Sequence, residues 1–239
     1  MVLFIGWNAW SVLEYLMTGE NIEDTYWKFK ADYYKDYVPT WISSPFKLYN
    51  GEKVDRVYVP SALTDADKDF LINLGVSDIR YLEEGEYDYI KYKDEHMFKP
   101  FYTLNPDRIA NKEVYSEIRQ LYLTDDVIKK YLELYDVWAP SDDYDVILYT
   151  DPLDKDLGID NVKELVETYM NENHSGSKIL VKAHPRDTIN WCWDMCSHRI
   201  PAQMLLMRDV IHIFMYNTTV IRYLGEDKKK EMINITKGV

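Results

Sequence analysis

The sequence predicts an α/β protein of two domains, each built around a parallel sheet. The chain has 239 residues, of which 46% are hydrophobic, so it can bury a core in one large domain or in two small ones. Short apolar runs typical of buried strands alternate with helical patterns in both halves of the chain. A turn-forming segment at 138–144 separates the two halves. Together these observations favour two domains.

The first half opens with a strand and a helix. The apolar run Val2–Gly6 predicts a buried strand, and Asn8 can cap a helix that ends at Gly19. A strand followed at once by a helix is the repeating unit of a parallel sheet. The other elements predicted in this half are, in order, a strand at 54–60, a helix at 63–74 ended by Gly75, a strand at 78–82, loops and irregular helix at 86–124, and a helix at 125–137.

The second half repeats the rhythm of strand and helix after the segment that contains Pro140. The predicted elements are a strand at 145–150, a helix at 160–171, strands at 178–183 and 209–214, and a helix at 217–224 ended by Gly225. Two Rossmann-like domains that face a central cleft, the arrangement called GT-B, fit this rhythm best. We place the first domain at 1–137 and the second at 138–239.

Charge and hydropathy exclude several functions. The net charge is −13 and the isoelectric point about 4.8, so the surface would repel the phosphates of a nucleic acid. The opening apolar run is short and lacks a basic leader, and no later run is long enough to cross a bilayer. We therefore expect a cytoplasmic protein that does not bind nucleic acid.

Candidate metal ligands are few. Cys192 and Cys196 have only His198 as an obvious local third ligand, so we expect two reduced thiols beside Trp191 and Trp193. Asp151 and Asp154–Asp156 carry carboxylates that suit a divalent cation, but an acidic loop after a strand usually serves solubility. We therefore predict neither a metal nor a cofactor.

Three short motifs each follow a predicted strand. Ligands of open parallel sheets bind outside the carboxyl ends of the strands, so these positions are candidates for a shared site. Each motif alone is also typical of an ordinary turn or helix cap. The motifs are Glu83-Glu84-Gly85, Lys182-Ala183-His184-Pro185 and Asn217-Thr218-Thr219.

The second and third motifs together indicate a phosphate site. A helix that begins near Asn217 would offer free N–H groups and the positive end of its dipole, and Thr218 and Thr219 would add two hydroxyls. A protonated His184 can donate a hydrogen bond and then a proton to a departing phosphate. Lys182 adds positive charge in a chain that is otherwise acidic.

The first motif supplies a candidate base on the opposite side of the cleft. A glutamate at the end of a strand in the first domain could deprotonate an incoming hydroxyl group. Glu83 and Glu84 are adjacent, so on an extended chain their side chains point in opposite directions and only one of them can face the acceptor.

The three motifs together resemble the (D/E)(D/E)G, HP and S/T motifs of bacterial sialyltransferases with the GT-B fold. That group includes enzymes of lipooligosaccharide biosynthesis and of capsular polysialic acid synthesis. The resemblance extends loosely from Val2 to Gly225 and includes the segments DVILYTDPL and SHRIPAQMLL. It implies a metal-independent, inverting glycosyltransferase that moves sialic acid from CMP-sialic acid to a sugar hydroxyl.

The resemblance also implies a role for individual residues. Glu84 is the first choice for the base and Glu83 the second, and His184, followed by Pro185, is the general acid. Thr218 and Thr219, after Asn217, hold the CMP phosphate, and Lys182 lies near the cytidine. The family usually has a glutamate that reaches the ribose where this chain has Gln203, and an amide bonds a diol more weakly than a carboxylate does. The chain is also shorter than a typical member.

The resemblance assigns the acceptor to the first domain and the nucleotide sugar to the second. The acceptor is a glycan or a lipid-linked glycan, and both peripheral attachment to a membrane and a homodimer remain open. Two alternatives also remain open. One is a glycerophosphotransferase that uses CDP-glycerol, because such enzymes carry a similar K-x-H-P turn and paired hydroxyl residues. The other is a non-catalytic relic that binds a nucleotide or a glycan, which Gln203 and the short chain favour slightly.

Overall fold

The computed structural model describes residues 1–6, 9–29, 47–61, 63, 65–83, 87–90, 96–135, 139–150, 159–184, 187, 189–215 and 219–233. The chain divides into two compact units, Met1–Val137 and Trp138–Val239. Each unit contains one sheet, and every pairing between the described strands is parallel. The protein is therefore of the α/β class, with a parallel sheet in each unit.

In the described part of the first unit the sheet has seven strands. They are β1 (Val2–Gly6), β2 (Thr25–Phe29), β3 (Lys47–Leu48), β4 (Arg56–Pro60), β5 (Asp78–Leu82), β6 (Pro100–Thr103) and β7 (Glu117–Gln120). Their order in the sheet is β3-β2-β1-β4-β5-β6-β7. In chain order, β2 and β3 are added on one side of β1, and β4, β5, β6 and β7 are then added on its other side. The first six positions of this order, 3-2-1-4-5-6, are those of the Rossmann fold.

Four α-helices are described in the first unit. They are α1 (Ala9–Met17), α2 (Asp65–Leu74), α3 (Tyr87–Ile90) and α4 (Asp125–Tyr135). The helix α1 is buried along most of its length. Tyr15 of α1 stacks on Phe4 of β1 with 4.5 Å between ring centroids, and α1 also packs against α4. Gly75 follows α2 with φ +66°, a left-handed conformation that stops a helix at little steric cost when the residue is glycine.

The sheet of the second unit has five strands. They are β8 (Val146–Tyr149), β9 (Ile179–Lys182), β10 (Asp194–Met195), β11 (Ile211–Met215) and β12 (Lys230–Ile233), and the helices are α5 (Ile159–Asn173) and α6 (Ala202–Leu205). The order in the sheet is β10-β9-β8-β11-β12. The strand order reverses at β8, because β9 and β10 lie on one side of β8 and β11 and β12 lie on its other side.

The core of the second unit combines apolar residues of three strands with the inner face of α5. The strands β8, β9 and β11 carry apolar side chains that are fully buried, and α5 covers them with one residue from each of three successive turns. These core residues include Val146, Leu148, Val181, Ile213, Val162, Val166 and Met170. The spacing of the three helical residues, four apart, is that of a single apolar stripe.

The prediction of loops and irregular helix over 86–124 is wrong in part, because β6 and β7 lie there. Both strands have four residues, and β7 at the sheet edge exposes most of its polar side chains. Such strands are held by pairing with their neighbours, so the local sequence carries little signal. The strands β2, β3, β10 and β12 are also absent from the elements predicted by the sequence. The strand β2 has the alternation of burial that is typical of a strand, since Thr25 and Trp27 are buried and Tyr26 and Lys28 are less buried.

The helix predicted at 217–224 is instead a 3-10 helix over Thr219–Tyr223. The main-chain N–H of Leu224 donates to the carbonyl of Ile221, which is the spacing of a 3-10 turn. Val220 and Ile221 are β-branched and favour α-helix less than straight-chain residues do. With Gly225 directly after Leu224, too few residues remain for a stable α-helix.

The other predicted elements differ from the structure by small shifts at their ends. The strands at 2–6 and 78–82 have the predicted bounds, whereas the strand at 54–60 begins two residues later, at Arg56. Within the described residues, the helices are all too short or too polar to cross a bilayer.

Candidate functional site

The described residues of the sequence motifs follow strands at the carboxyl edges of the two parallel sheets. In the second unit, Lys182 is the last residue of β9, and it pairs in register with Tyr149, the last residue of β8. His184 follows two residues later. This edge lies beside β8, where the strand order reverses, and such reversal points in parallel sheets are the usual places for ligands.

The main chain of His184 is held by hydrogen bonds on both sides. Its N–H donates to the hydroxyl of Thr150, which follows β8, at 3.0 Å. Its carbonyl accepts from the N–H of Asp187 at 2.8 Å. The side chain of His184 is half-buried. The turn that carries the candidate acid is therefore fixed to the end of the neighbouring strand.

The carboxylate of Asp187 completes this turn. Its Oδ2 atom accepts from the hydroxyl of Thr150 and from the indole N–H of Trp191, the latter at 3.0 Å, while Oδ1 accepts from the N–H of Ile189 at 2.8 Å. Thr150 and Trp191 are both buried. The sequence predictions did not include Thr150 or Asp187 as site residues. The available signal was an aspartate three residues after the histidine, a spacing typical of side chains that cap turns.

Lys182 lies in the interior of the second unit. Its side chain is 6% exposed, and its ammonium group donates to the carbonyl of Ser197 at 3.2 Å. Burial lowers the pKa of Lys182, and the nearby thiol of Cys196 partly opposes that shift. Lys182 therefore ties the end of β9 to the segment after β10, and its charge is directed into the protein.

The segment tied by Lys182 leads to Gln203. The N–H of Cys196 donates to the carbonyl of Val181 at 2.8 Å, and the N–H of Ile200 donates to the carbonyl of Ser197 at 3.1 Å. Gln203 follows in α6 and is half-buried. The helix α6 packs against the 3-10 helix that begins at Thr219. The elements that carry Lys182, Gln203 and Thr219 are thus connected within one unit.

Several candidate residues lie outside the described part of the chain. They are Glu84, Pro185, Asn217 and Thr218, together with the side chain of Thr219 and the acidic residues 151–158. The 3-10 helix that starts at Thr219 has five residues. It aligns fewer peptide dipoles than the predicted α-helix, so a phosphate bound there would gain less from the helix dipole than expected from the sequence.

In the first unit, Glu83 is a fully buried carboxylate. Its Oε2 atom accepts hydrogen bonds from the hydroxyl of Tyr89 at 2.6 Å, from the hydroxyl of Thr103, and from the N–H of Leu104 at 3.0 Å. The N–H of Glu83 donates to the carbonyl of Tyr102 at 3.0 Å. Glu83 therefore joins the ends of β5 and β6, and this carboxylate faces the interior of its unit.

Three of the four other histidines have different surroundings. His96 bonds the carbonyl of Ser61 at 2.9 Å, and His174 bonds Glu231 at 2.9 Å. His212 is buried between the hydroxyl of Tyr149, at 3.0 Å from Nδ1, and the carbonyl of Arg208, at 3.1 Å from Nε2. Burial lowers the pKa of His212. These contacts explain how each of the three histidines is held in its unit.

The cysteines and carboxylates do not form a metal centre in the described part of the chain, where no group of three or more potential ligands occurs. Cys196 is buried and Cys192 is exposed, and neither takes part in a disulfide. Trp191 and Trp193 stack with 6.2 Å between ring centroids.

Comparisons of the chain with protein families, with curated proteins and with solved structures found no match. The fold and the candidate site therefore define the protein only as a parallel α/β protein with polar residues assembled at the carboxyl edge of each sheet.

Proposed function

We propose that the chain is a metal-independent, inverting glycosyltransferase that moves sialic acid from CMP-sialic acid to a hydroxyl group of a glycan. In this proposal the two units, each with a parallel sheet, are the two domains of a GT-B enzyme. Met1–Val137 would receive the acceptor and Trp138–Val239 the nucleotide sugar. The Rossmann-like strand order of the first sheet and the reversal of strand order at β8 in the second support this choice of fold.

The observation that carries the proposal is the position of His184. A parallel sheet directs its ligand site to the carboxyl edge. At this edge the N–H of His184 donates to Thr150 and the carbonyl of His184 accepts from the N–H of Asp187, so its main chain is held on both sides. A general acid must be held at a fixed place against the leaving group to transfer its proton efficiently. A turn that is fixed to the adjacent strand meets that requirement.

The proposed chemistry at the donor is protonation of a leaving phosphate. As the bond between the sugar and CMP breaks, negative charge grows on the phosphate oxygen, and His184 donates its proton there. The hydroxyls of Thr218 and Thr219 bind the other phosphate oxygens. Lys182 acts indirectly, because its bond to Ser197 holds the segment that leads to Gln203. Gln203 is then the residue proposed to bond the ribose.

The proposed chemistry at the acceptor is removal of a proton. The acceptor oxygen attacks the anomeric carbon from the side opposite CMP, which inverts the configuration, and its proton passes to a glutamate of the first motif. The buried Glu83 already accepts three hydrogen bonds at Oε2. A base needs an oxygen that the acceptor can reach, so Glu84 is favoured over Glu83.

Donor turnover tests the proposal. The wild-type protein is incubated in EDTA with CMP-sialic acid and a panel of glycan acceptors, and release of CMP and formation of sialylated product are measured. We expect turnover by the wild type and a loss of about 10²–10⁴-fold in His184→Ala. Glu172→Gln, which changes an exposed glutamate of the same unit, is the control and should keep its activity.

Two outcomes would contradict this proposal and select an alternative. Turnover of CDP-glycerol, with none of CMP-sialic acid, would assign the site to phosphoryl transfer. Binding of CMP without turnover of either donor would make the chain a non-catalytic nucleotide-binding protein.

A further inference from the structure

The carboxylate of Asp187 connects the ends of two neighbouring strands. Thr150 follows β8, and Asp187 follows the turn after β9, so the two residues are 37 positions apart in sequence. Asp187 also accepts from the buried indole of Trp191 and from the N–H of Ile189. Both of its carboxylate oxygens are thus engaged in bonds within the second unit.

These contacts determine the direction in which the hydroxyl of Thr150 donates its hydrogen bond. It accepts a hydrogen bond from the N–H of His184, and an ionised Asp187 can only accept. The single proton of the hydroxyl must therefore point to Asp187. Two hydrogen bonds in series therefore connect the carboxylate of Asp187, through the hydroxyl of Thr150, to the main chain of His184.

The same aspartate also holds the other side of His184. The N–H of Asp187 donates to the His184 carbonyl at 2.8 Å, while Thr150 binds the His184 N–H at 3.0 Å. Main-chain motion at His184 would break one of these bonds, and the buried hydroxyl of Thr150 would lose the N–H from which it accepts. A buried donor or acceptor that loses its partner is destabilising, so the arrangement resists displacement.

We propose that Asp187 is a positioning residue that fixes the main chain of His184 by acting through Thr150. This inference rests on the proposed function, in which His184 is the general acid. The carboxylate charge is required, because a neutral amide at position 187 has one acceptor oxygen for the donors of Thr150, Trp191 and Ile189, and that oxygen accepts more weakly than a carboxylate does. Asp187 itself takes no part in proton transfer.

Paired variants of Thr150 and Asp187 test this role. Thr150→Val keeps the shape of the side chain but removes the hydroxyl, and Thr150→Ser restores the hydroxyl. Asp187→Asn keeps the size but removes the charge, and it decides the question if Thr150→Val does not fold. Hydrogen exchange of the His184 amide reports directly on the bond to Thr150. The NMR signal of the His184 ring, assigned with His184→Gln among the five histidines, reports on the position of the side chain.

We expect Thr150→Val and Asp187→Asn to speed exchange of the His184 amide by about 10-fold or more and to displace its ring signal. Exchange of amides in the middle of β8 and β9 should stay unchanged, and Thr150→Ser should behave as the wild type. Turnover should fall by about 10–100-fold with little change in KM for the donor, as small displacements of a catalytic group have that effect.

The outcomes separate this inference from the proposed function. Wild-type amide exchange and an unmoved ring signal in the folded Thr150→Val and Asp187→Asn proteins would overturn the positioning role, whether or not the wild type is active. A change in both signals, in a protein that turns over no sugar donor, would support the positioning role and contradict the proposed function.

Discussion

The hydroxyl of Tyr89 donates a hydrogen bond of 2.6 Å to the carboxylate of Glu83. Burial raises the pKa of Tyr89 well above its ordinary value, and the adjacent carboxylate raises it further, so the tyrosine remains a donor at any physiological pH. Thr103 and Leu104 donate to the same oxygen. The two glutamates of the first motif therefore differ in role, with Glu83 organising the sheet edge and Glu84 proposed for the chemistry.

Glu83→Gln should lower the free energy of unfolding by about 1–3 kcal/mol. The amide has one acceptor oxygen where the carboxylate has two, and it buries an NH₂ group among donors. Urea denaturation followed by circular dichroism measures the change. Glu113→Gln, an exposed glutamate of the same unit, is the control and should change stability by less than about 0.5 kcal/mol. Equal stability of Glu83→Gln and the wild type would show that these hydrogen bonds do not stabilise the unit.

Glu84→Gln should reduce turnover of CMP-sialic acid by about 10²–10⁴-fold, the usual contribution of a positioned base. CMP affinity should be nearly unchanged, because the base acts on the acceptor. Steady-state kinetics and CMP titration measure the two quantities, at a temperature where Glu83→Gln is also folded. If Glu84→Gln is fully active and the folded Glu83→Gln is inactive, the base is Glu83. Full activity in both variants would remove the base from this motif.

The strands that could be predicted from the sequence are mostly those buried on both faces. β1 and β8 read as continuous apolar runs, β9 and β11 each carry one polar residue in such a run, and the prediction for β5 matches its observed bounds. Most strands that the sequence does not reveal have two to four residues or lie at a sheet edge, where polar residues replace the apolar pattern, and the exception is β2, which has five residues and lies inside the sheet. β10 has two residues, and β12 has an exposed methionine, Met232, between less exposed neighbours. Their structure comes from pairing with other strands, which the local sequence does not encode.

The positions of the candidate site residues could be predicted more easily than their partners. Parallel strands place all their carboxyl ends at one edge of the sheet, so a motif that directly follows a predicted strand is predicted to lie at that edge. The contacts that give each residue its role join distant parts of the chain. Thr103 is 20 positions from Glu83, and Asp187 is 37 positions from Thr150. No local pattern indicated either pair.

Activity should survive treatment with EDTA. In the proposed site His184 and the hydroxyls of Thr218 and Thr219 stabilise the phosphate charge. The proposal therefore needs no divalent cation to bind the phosphate. Turnover is measured before and after chelation, with dialysis into metal-free buffer as the control. Loss of turnover on chelation that magnesium or manganese restores would move the phosphate-binding role to Asp151 and the neighbouring acidic residues.

The stability of the second unit should depend on Glu231 at acidic pH. Burial alone raises the pKa of Glu231, but hydrogen bonds from His174 and Tyr169 outweigh burial and lower the pKa below its ordinary value of 4.5. Because the pKa in the folded state lies below that of the unfolded chain, the carboxylate contributes stability above pH 4.5. That contribution is lost as the pH falls through the lowered pKa.

Urea denaturation at several pH values between neutral and strongly acidic checks the contribution of Glu231. Glu231→Gln should be less stable than the wild type at neutral pH, and the difference should shrink as the pH falls below 4.5. Glu172→Gln, an exposed glutamate of the same unit, is the control. A difference between Glu231→Gln and the wild type that is the same at every pH would show that ionisation of Glu231 does not contribute to folding.

Nucleotide preference tests the proposal that this protein binds CMP. Thermal unfolding is measured with CMP, UDP and GDP, for the wild type and for the double variant Thr218→Val, Thr219→Val. A ligand that binds only the folded state stabilises it by about 2.7 kcal/mol when present at 100 times its Kd. We expect CMP to raise the melting temperature of the wild type, UDP and GDP to raise it much less, and the double variant to lose most of the CMP effect. Equal shifts with all three nucleotides, or no shift with CMP, would contradict the assignment of this protein to the CMP-sugar transferases.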